Sequence, residues 1–178
     1  MSLAHALLTS LLEQPSSGYD LARRFDKSIG HFWQATHQQI YRELGRMEKA
    51  GWILSEPDPD AGRTRKRTYC VLPSGRQELE RWAAEPAPLP ELRDEFMVRL
   101  RADATLGPLG LLPELRRRRE LHCEKLRAYR AIEARDFAPE TAPTRKRRIH
   151  HLILKAGIQY EENWIAWYDE AVQVLGES

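Results

Sequence analysis

Three prolines within seven residues, in the stretch EPAPLPE at positions 85–91, constrain the fold of this chain more than any other feature. Proline lacks the backbone N–H that a helix requires, and it disfavours helical geometry at the residue before it. A helix that approaches this stretch must therefore end near Ala84. A chain of 178 residues suits one large domain or two small ones. The break predicts two domains, residues 1–85 and residues 91–178.

The first domain begins with the pattern of two helices. Apolar residues recur at helical spacing in 3–13 and again in GYDLARRFDKSI at 18–29. The PSSG between these segments predicts a turn. Ser17 is placed to cap the second helix, with Asp20 three residues further on as its partner in a capping box.

A third helix is predicted to have one apolar side and one polar side. Thr36 and Gln39 have the spacing of a capping box, which predicts a start there, and Gly51 predicts the end. The apolar residues are Ile40, Leu44 and Met47. At about 100° per residue, the opposite side and its flanks hold Gln38, Gln39, Arg42, Gly45, Arg46 and Lys49.

The polar side of this helix has the side chains that read DNA bases. Glutamine bonds adenine through two hydrogen bonds, and arginine bonds guanine or a phosphate. Gly45 leaves space for a close approach, and His37, near the helix N-terminus, is placed to reach a phosphate. A polar side is also what most solvent-exposed helices present. On this helix alone, a solvated face therefore stays open as the alternative.

A cationic hairpin follows the third helix. The runs WILSEP and RTYCVL predict two strands, and GRTRKRTY at 62–69 has four cations and no acid. The cations are Arg63, Arg65, Lys66 and Arg67. Such charges bind phosphates or enter a narrow minor groove, although a charged loop can also protect a strand edge. Helices and hairpin in this order predict a winged helix-turn-helix that binds double-stranded DNA, in a mainly α chain with a small β-hairpin wing.

At this point the sequence resembles the PadR family of bacterial transcriptional regulators. The segments that carry the resemblance are AHALLTSLLEQPSSGYDLARRF, FWQATHQQIYRELGRMEKAGWI and GRTRKRTYCVLPSGRQEL. The rest of the chain is similar to a longer subgroup, whose C-terminal helical region resembles that of virulence activator proteins. The resemblance implies a homodimeric winged-helix regulator, a repressor, with small-molecule or stress signals as effectors. No cofactor is implied.

The resemblance also bears on single residues. It implies that Tyr41 lies beside the DNA backbone, and Tyr19 matches the tyrosine of the family's second helix. Core packing at the edge of the apolar side is the alternative for Tyr41, and packing between helices is the alternative for Tyr19. Where many members have a threonine that caps the helix after the hairpin, this chain has Leu72. Pro73 or Ser74 is then expected to begin that helix in another way.

The second domain is predicted to consist of helices at 91–104, 111–136 and 144–175. Apolar residues recur along the last of these: Ile149, Leu152, Ile153, Ala156, Tyr160, Trp164, Trp167, Ala171 and Leu175. One small neighbour cannot cover them all, so we expect a helix that also packs against a second copy. A bundle within one chain is the alternative. A two-fold dimer would present its third helices to half-sites of a palindrome about one DNA turn, ~34 Å, apart.

Two further features of the second domain leave alternatives open. Trp164 and Trp167 are candidates for contact with a flat apolar effector, although such residues more often belong to a core or an interface. The basic clusters at 116–119 and 145–148 match the hairpin in density. Four consecutive arginines on a helix point in all directions, so they are expected to be solvated or paired with nearby acids. A secondary contact with DNA or an acidic partner is the alternative.

Other classes of protein find little support. Cys70 and Cys123 lie far apart, which indicates neither a disulfide framework nor a zinc site and suits a reducing compartment. No apolar run approaches the length of a membrane span, and LAHALLTSLL lacks the flanks of a signal peptide. No metal-ligand spacing, nucleophile elbow or phosphate loop indicates an enzyme. We expect a cytoplasmic protein. A protein-interaction module and an RNA-binding protein are the alternatives, and the hairpin offers RNA bases only Tyr69 for stacking.

Overall fold

The computed structural model describes residues 3–26, 33, 35–57, 67–87, 93–138 and 142–176. The chain forms two compact units, Met1–Leu89 and Pro90–Ser178. The first unit contains α1 (Leu3–Glu13), β1 (Ser16–Ser17), α2 (Gly18–Asp26), α3 (His37–Lys49), β2 (Ile53–Pro57), β3 (Arg67–Val71) and α4 (Pro73–Ala84). The second contains α5 (Glu95–Leu106), α6 (Leu112–Asp136) and α7 (Arg145–Gly176). The predicted mainly α fold with a small β-hairpin is confirmed. No helix among the described residues has the length and apolar character needed to cross a membrane.

The core of the first unit lies between α1, α2, α3 and β2. Its buried side chains include Leu7, Leu8, Leu11, Leu21, Phe25, Ile40, Leu44, Met47 and Ile53. Burying a side chain of this size contributes about 1.5–3 kcal/mol relative to leaving it in water. The three apolar residues of α3 are therefore held inward. The polar side of α3 faces outward as a consequence.

The sheet has one strand more than the sequence predicts. The hairpin strands β2 and β3 pair antiparallel, and β1 pairs antiparallel with β3, which gives the strand order β1-β3-β2. Ser16 lies opposite Tyr69, and Ser17 lies opposite Thr68. The prediction of a simple turn at PSSG was therefore incomplete. The prediction that Ser17 caps α2 is confirmed, because the Asp20 N–H donates to Ser17 Oγ at 3.1 Å. The Asp20 carboxylate accepts from the Ser17 hydroxyl at 2.7 Å.

Both ends of α3 form as predicted. The Gln39 N–H donates to Thr36 Oγ1 at 3.2 Å, and the Thr36 N–H donates to Gln39 Oε1 at 2.8 Å, so the capping box is complete. At the other end, Gly51 has φ of +71°, a conformation that glycine adopts without steric cost. Local side-chain chemistry thus defines the length of the helix that presents the polar face.

The helix after the hairpin begins without a side-chain cap. Leu72 precedes it and makes no capping bond, and Pro73 occupies the first turn, where its missing N–H has no partner to lose. Two other contacts hold this end. Ser74 Oγ donates to the Gly51 carbonyl oxygen, and the Leu72 N–H donates to the Trp52 carbonyl oxygen at 2.9 Å. The start of α4 is therefore bonded to the segment that follows α3.

A buried histidine joins α1 to α4. His5 is 7% exposed, and its ring stacks on Trp82 with centroids 4.5 Å apart. Its Nε2 lies 3.0 Å from Glu78 Oε1. Arg81 donates to both oxygens of the same carboxylate, from Nε at 2.8 Å and from its NH2 group at 2.7 Å. Glu78 thus accepts from two helices.

This arrangement predicts a loss of stability in acid. The hydrogen bonds from Arg81 and then His5 lower the pKa of Glu78 from 4.5 to about 2. A carboxyl group whose pKa is lower in the folded state stabilises that state above its unfolded pKa. The contribution is lost as the pH falls from 4.5 to about 2. We expect Glu78→Gln to flatten the fall in the free energy of unfolding across this window, as measured by urea denaturation at each pH. If the free energy of unfolding depended on pH equally in the wild type and the variant, the Glu78 carboxylate would not be held by these bonds.

The second unit is built on the pair α6 and α7. Residues early in α6 contact residues late in α7 and the reverse, as in the ion pairs of Arg119 with Asp169 and of His151 with Glu133, so the helices are antiparallel. Phe96 of α5, Leu115 of α6 and Tyr168 of α7 form the buried core. All three predicted helices are present, with small differences at their ends.

The basic cluster on α6 is largely paired. Arg117 and Arg118 both donate to Glu114, at 2.7 and 2.8 Å, which confirms the pairing predicted for them. Their bonds lower the pKa of Glu114 to about 2. The Arg118 guanidinium also lies 4.3 Å from the centroid of the Phe96 ring. Arg119 pairs with Asp169 of α7, a partner that the sequence did not indicate. Three of the four arginines in this cluster are therefore paired within the second unit, and the pair of Arg119 joins α6 to α7.

Candidate nucleic-acid interface

One face of α3 is polar and exposed along its whole length. All seven side chains that the sequence assigned to DNA on this helix are exposed to solvent: His37, Gln38, Gln39, Tyr41, Arg42, Arg46 and Lys49. Gly45, on the same face, has nothing within 4 Å of the position that a Cβ would occupy. The face therefore combines amides and cations with a gap in its centre, which suits an approach to a groove floor.

Three of these side chains already have partners within the chain. Gln39 Oε1 is used by the capping box. His37 Nε2 lies 2.9 Å from Asp26 Oδ2, which ties the start of α3 to the end of α2. Arg46 lies 3.4 Å from Glu43 and keeps 69% of its side chain exposed. An exposed pair of this kind contributes little energy, so the Arg46 guanidinium can exchange its partner for a phosphate.

The two tyrosines carried over from the family resemblance lie in different surroundings. Tyr41 is 48% exposed, and its ring covers Gly18 so closely that a Cβ there would lie 2.6 Å from Cε1. Tyr41 therefore packs against α2 with one part and faces solvent with another. Tyr19 is 58% exposed, with the Arg23 guanidinium 5.6 Å from its ring centroid. It does not pack between helices.

Of the hairpin, the structure describes the two strands β2 and β3. Arg63, Arg65 and Lys66 lie outside the described residues. Arg67, the first residue of β3, directs its guanidinium at Ser55 of β2, with Nε 2.8 Å from Ser55 Oγ and NH2 2.5 Å from the Ser55 carbonyl oxygen. Arg67, one of the four cations that were predicted to contact DNA, is thus bonded across its own hairpin. Its residue type and position carry no signal that distinguishes it from Arg65.

The two candidate effector residues belong to an aromatic cluster in the second unit. The rings of Trp164 and Trp167 meet edge to face with centroids 5.5 Å apart, and Trp164 lies 5.7 Å from Tyr168. The ring of His122 stacks on Trp164, and His122 Nδ1 is bonded to the buried Glu161. Both tryptophans are partly buried and pack on the core of the unit. In the described part of the chain, no group of three His, Cys, Asp or Glu side chains could hold a metal ion.

Comparisons with known proteins agree with this geometry. Residues 7–81 match the transcriptional regulator PadR-like family, and residues 92–176 match the family of the virulence activator alpha C-terminal region. A probable transcriptional regulator of Mycobacterium tuberculosis is 41% identical over 99% of both chains. The structure of the Vibrio cholerae virulence activator AphA has a TM-score of 0.84 at 31% identity and covers 99% of each chain.

A second solved relative, PadR of Bacillus subtilis, was crystallised with operator DNA. That structure has a TM-score of 0.84 at 27% identity, covering 98% of this chain and 99% of the relative. The same relative was crystallised with p-coumaric acid, with a TM-score of 0.78 at 28% identity and 99% coverage of both chains. The fold and these matches define a winged-helix regulator of transcription. The chain belongs to the PadR-like family of transcriptional regulators.

Proposed function

We propose that this chain is a cytoplasmic repressor that binds a palindromic operator in double-stranded DNA as a homodimer. The observation that carries the proposal is the exposed polar face of α3. Gln38, Arg42 and Lys49 recur along it at helical spacing, and the buried apolar side of the helix prevents it from rotating. In the proposed complex this face enters the major groove, and the hairpin cations Arg63, Arg65 and Lys66 contact the flanking backbone or minor groove.

The relatives support this proposal. PadR of Bacillus subtilis is a negative transcriptional regulator and was crystallised with operator DNA. Because the activator AphA has the same fold, the direction of regulation needs its own test. When the gene for this chain is deleted, expression of a reporter gene placed downstream of its operator should rise. A fall would make the chain an activator.

The proposed dimer rests on α7. This helix buries Ile158, Glu161 and Tyr168 within its own unit. On a different side, Leu152 is 68% exposed and Tyr160 is 56% exposed. Ile149, Leu152, Ile153, Ala156 and Tyr160 fall within about 100° of arc at 100° per residue, which makes one continuous apolar stripe. A second copy of α7 would remove this stripe from water.

We also propose a small aromatic effector that contacts Trp164 and Trp167 and weakens operator binding. The support is the aromatic cluster around them and the complex of the Bacillus subtilis relative with p-coumaric acid. Titration of the protein with phenolic acids should quench tryptophan fluorescence and release the operator in a parallel binding assay. Quenching without release would mark a bound molecule that is not an effector.

Selection of binding sites from a random duplex pool tests the main proposal. Enrichment of one palindrome with half-sites about a turn apart is the expected result. Arg42→Ala should then relax the preference at one base and cost about 1–3 kcal/mol of binding free energy. Arg65→Ala should weaken all duplexes alike and reduce the slope of log affinity against log salt by about 1.

The other outcomes are equally informative. Retention of duplexes without enrichment would indicate a nonspecific DNA-binding protein. Failure to retain any duplex, with or without a phenolic acid, would favour a protein-interaction module that uses the same fold without specific DNA binding. An Arg42→Ala variant that selects the wild-type palindrome unchanged would remove Arg42 from the base contacts.

A further inference from the structure

Three residues from α3, β2 and β3 form one continuous polar network. Ser55 is 5% exposed and lies at its centre. Its backbone N–H donates to Glu48 Oε1 at 3.1 Å, and its hydroxyl donates to the same oxygen. Arg67 Nε donates to that hydroxyl at 2.8 Å, and the Arg67 NH2 group donates to the Ser55 carbonyl oxygen. The Ser55 hydroxyl thus uses both its donor and an acceptor site.

The network lies where the hairpin joins the body of the first unit. Glu48 is in the last turn of α3, next to Lys49 of the proposed DNA-binding face. Pro57 and Arg67 form the last described pair of the hairpin before its loop. β2 lies at the edge of the sheet, and its buried Ile53 packs on the core together with α3. Closer to the loop, the bonds from Ser55 to Glu48 join β2 to α3 from outside the ladder. A carboxylate and a guanidinium that meet at one buried hydroxyl supply such bonds, and charge-assisted bonds are the strong ones.

We infer that Glu48, Ser55 and Arg67 are positioning residues, which hold the base of the cationic hairpin at a fixed angle to α3 so that both reach DNA together. Arg67 acts through this network and does not neutralise a phosphate itself. The inference rests on the proposed DNA binding, and it divides the four hairpin cations into two kinds. In this proposal Arg63, Arg65 and Lys66 contact DNA, whereas Arg67 holds the base of the hairpin that carries them.

Salt dependence separates the two kinds of cation. A side chain that neutralises a phosphate adds about 0.9 to the slope of log affinity against log salt, whereas a positioning residue changes affinity with little change in slope. We expect Arg67→Ala and Ser55→Ala each to weaken binding of the selected operator by about tenfold, with the wild-type slope. The double variant should be no weaker than Arg67→Ala alone, because both changes break one network. Arg65→Ala is the matched control and should lower the slope.

Arg67→Lys gives an independent test. Lysine keeps the positive charge but lacks the planar fork that bonds a hydroxyl and a carbonyl oxygen at once. We expect this variant to bind as weakly as Arg67→Ala. All variants are assayed as full chains below their unfolding transitions, and the active fraction is measured by stoichiometric titration. A residue with only a structural role would lower the active fraction and leave the affinity of the active molecules unchanged.

Several results would overturn the inference. Arg67→Ala with a reduced salt slope, together with Arg67→Lys at wild-type affinity, would make Arg67 a phosphate contact. Wild-type affinity in Ser55→Ala, or additive losses in the double variant, would remove the network from DNA binding. These outcomes presuppose that the wild type binds. Failure of the wild type to bind any duplex would instead refute the proposed function and this inference with it.

Discussion

Replacing Gly75 by alanine is expected to destabilise the first unit by about 3–5 kcal/mol. A Cβ at this position would lie 2.2 Å from the Trp52 carbonyl oxygen and 3.0 Å from its carbonyl carbon. The Trp52 peptide group cannot move away without the loss of backbone hydrogen bonds. The Trp52 N–H donates to the Met47 carbonyl oxygen at 3.0 Å, and the Trp52 carbonyl oxygen accepts from the Leu72 N–H at 2.9 Å. Relief of the clash therefore breaks backbone bonds at the junction of α3, β3 and α4.

Urea denaturation of the full chain, followed by circular dichroism and tryptophan fluorescence, measures this effect. Gly45→Ala is the matched control, because nothing lies within 4 Å of its Cβ position and it is in an exposed helix. Alanine there should raise the free energy of unfolding by up to about 1 kcal/mol, the difference in helix propensity. If Gly75→Ala unfolded at the same urea concentration as the wild type, the close approach of α4 to Trp52 would be wrong.

Features whose cause is local were predictable from the sequence. The start of α3 follows from the capping box of Thr36 and Gln39, which are three residues apart. Its end follows from the backbone conformation of Gly51. The end of α4 at Ala84 follows from the proline-rich stretch after it. The burial of Leu44 follows from helical periodicity. In each case the residues that determine the structure are neighbours in sequence or lie on one helix.

Features that depend on contacts between segments distant in sequence were not predictable. The strand β1 has two residues and no alternation of its own, and it exists because β3 lies beside it. The bond from Arg67 to Ser55 joins residues twelve positions apart, across a hairpin whose register the sequence leaves open. The residue type and charge of Arg67 do not indicate this bond. It follows only from the three-dimensional arrangement of the two strands.

In α7, helical periodicity predicts which residues are apolar neighbours but not which of them are buried within the chain. The sequence places nine apolar residues along it but does not say which of them the chain covers itself. The structure divides them: Trp164 and Trp167 pack on the core of the second unit, whereas Leu152 and Ile153 are 68% and 46% exposed. The exposed part forms the stripe that we assign to the second copy. Its burial has a large expected effect, because a two-fold interface uses every residue twice.

Leu152→Asp is therefore expected to convert the proposed dimer to monomers at micromolar concentration. Burial of one leucine contributes about 1.5–3 kcal/mol, so the loss at two symmetry-related positions is about 3–6 kcal/mol, or at least a hundredfold in the dimer dissociation constant. A carboxylate that is buried without a partner adds to this cost. Analytical ultracentrifugation measures the change. Operator affinity should fall as well, since a monomer loses the high effective concentration of its second half-site contact.

Lys155→Gln is the matched control for this experiment. It changes the net charge by the same amount, at an exposed position on the same helix about 60° outside the stripe. It should sediment as the wild type does. Because Leu152 is largely exposed within its own chain, its replacement should leave the helical content of the monomer unchanged. A Leu152→Asp protein that remains dimeric with wild-type operator affinity would place the interface on another surface of the second unit.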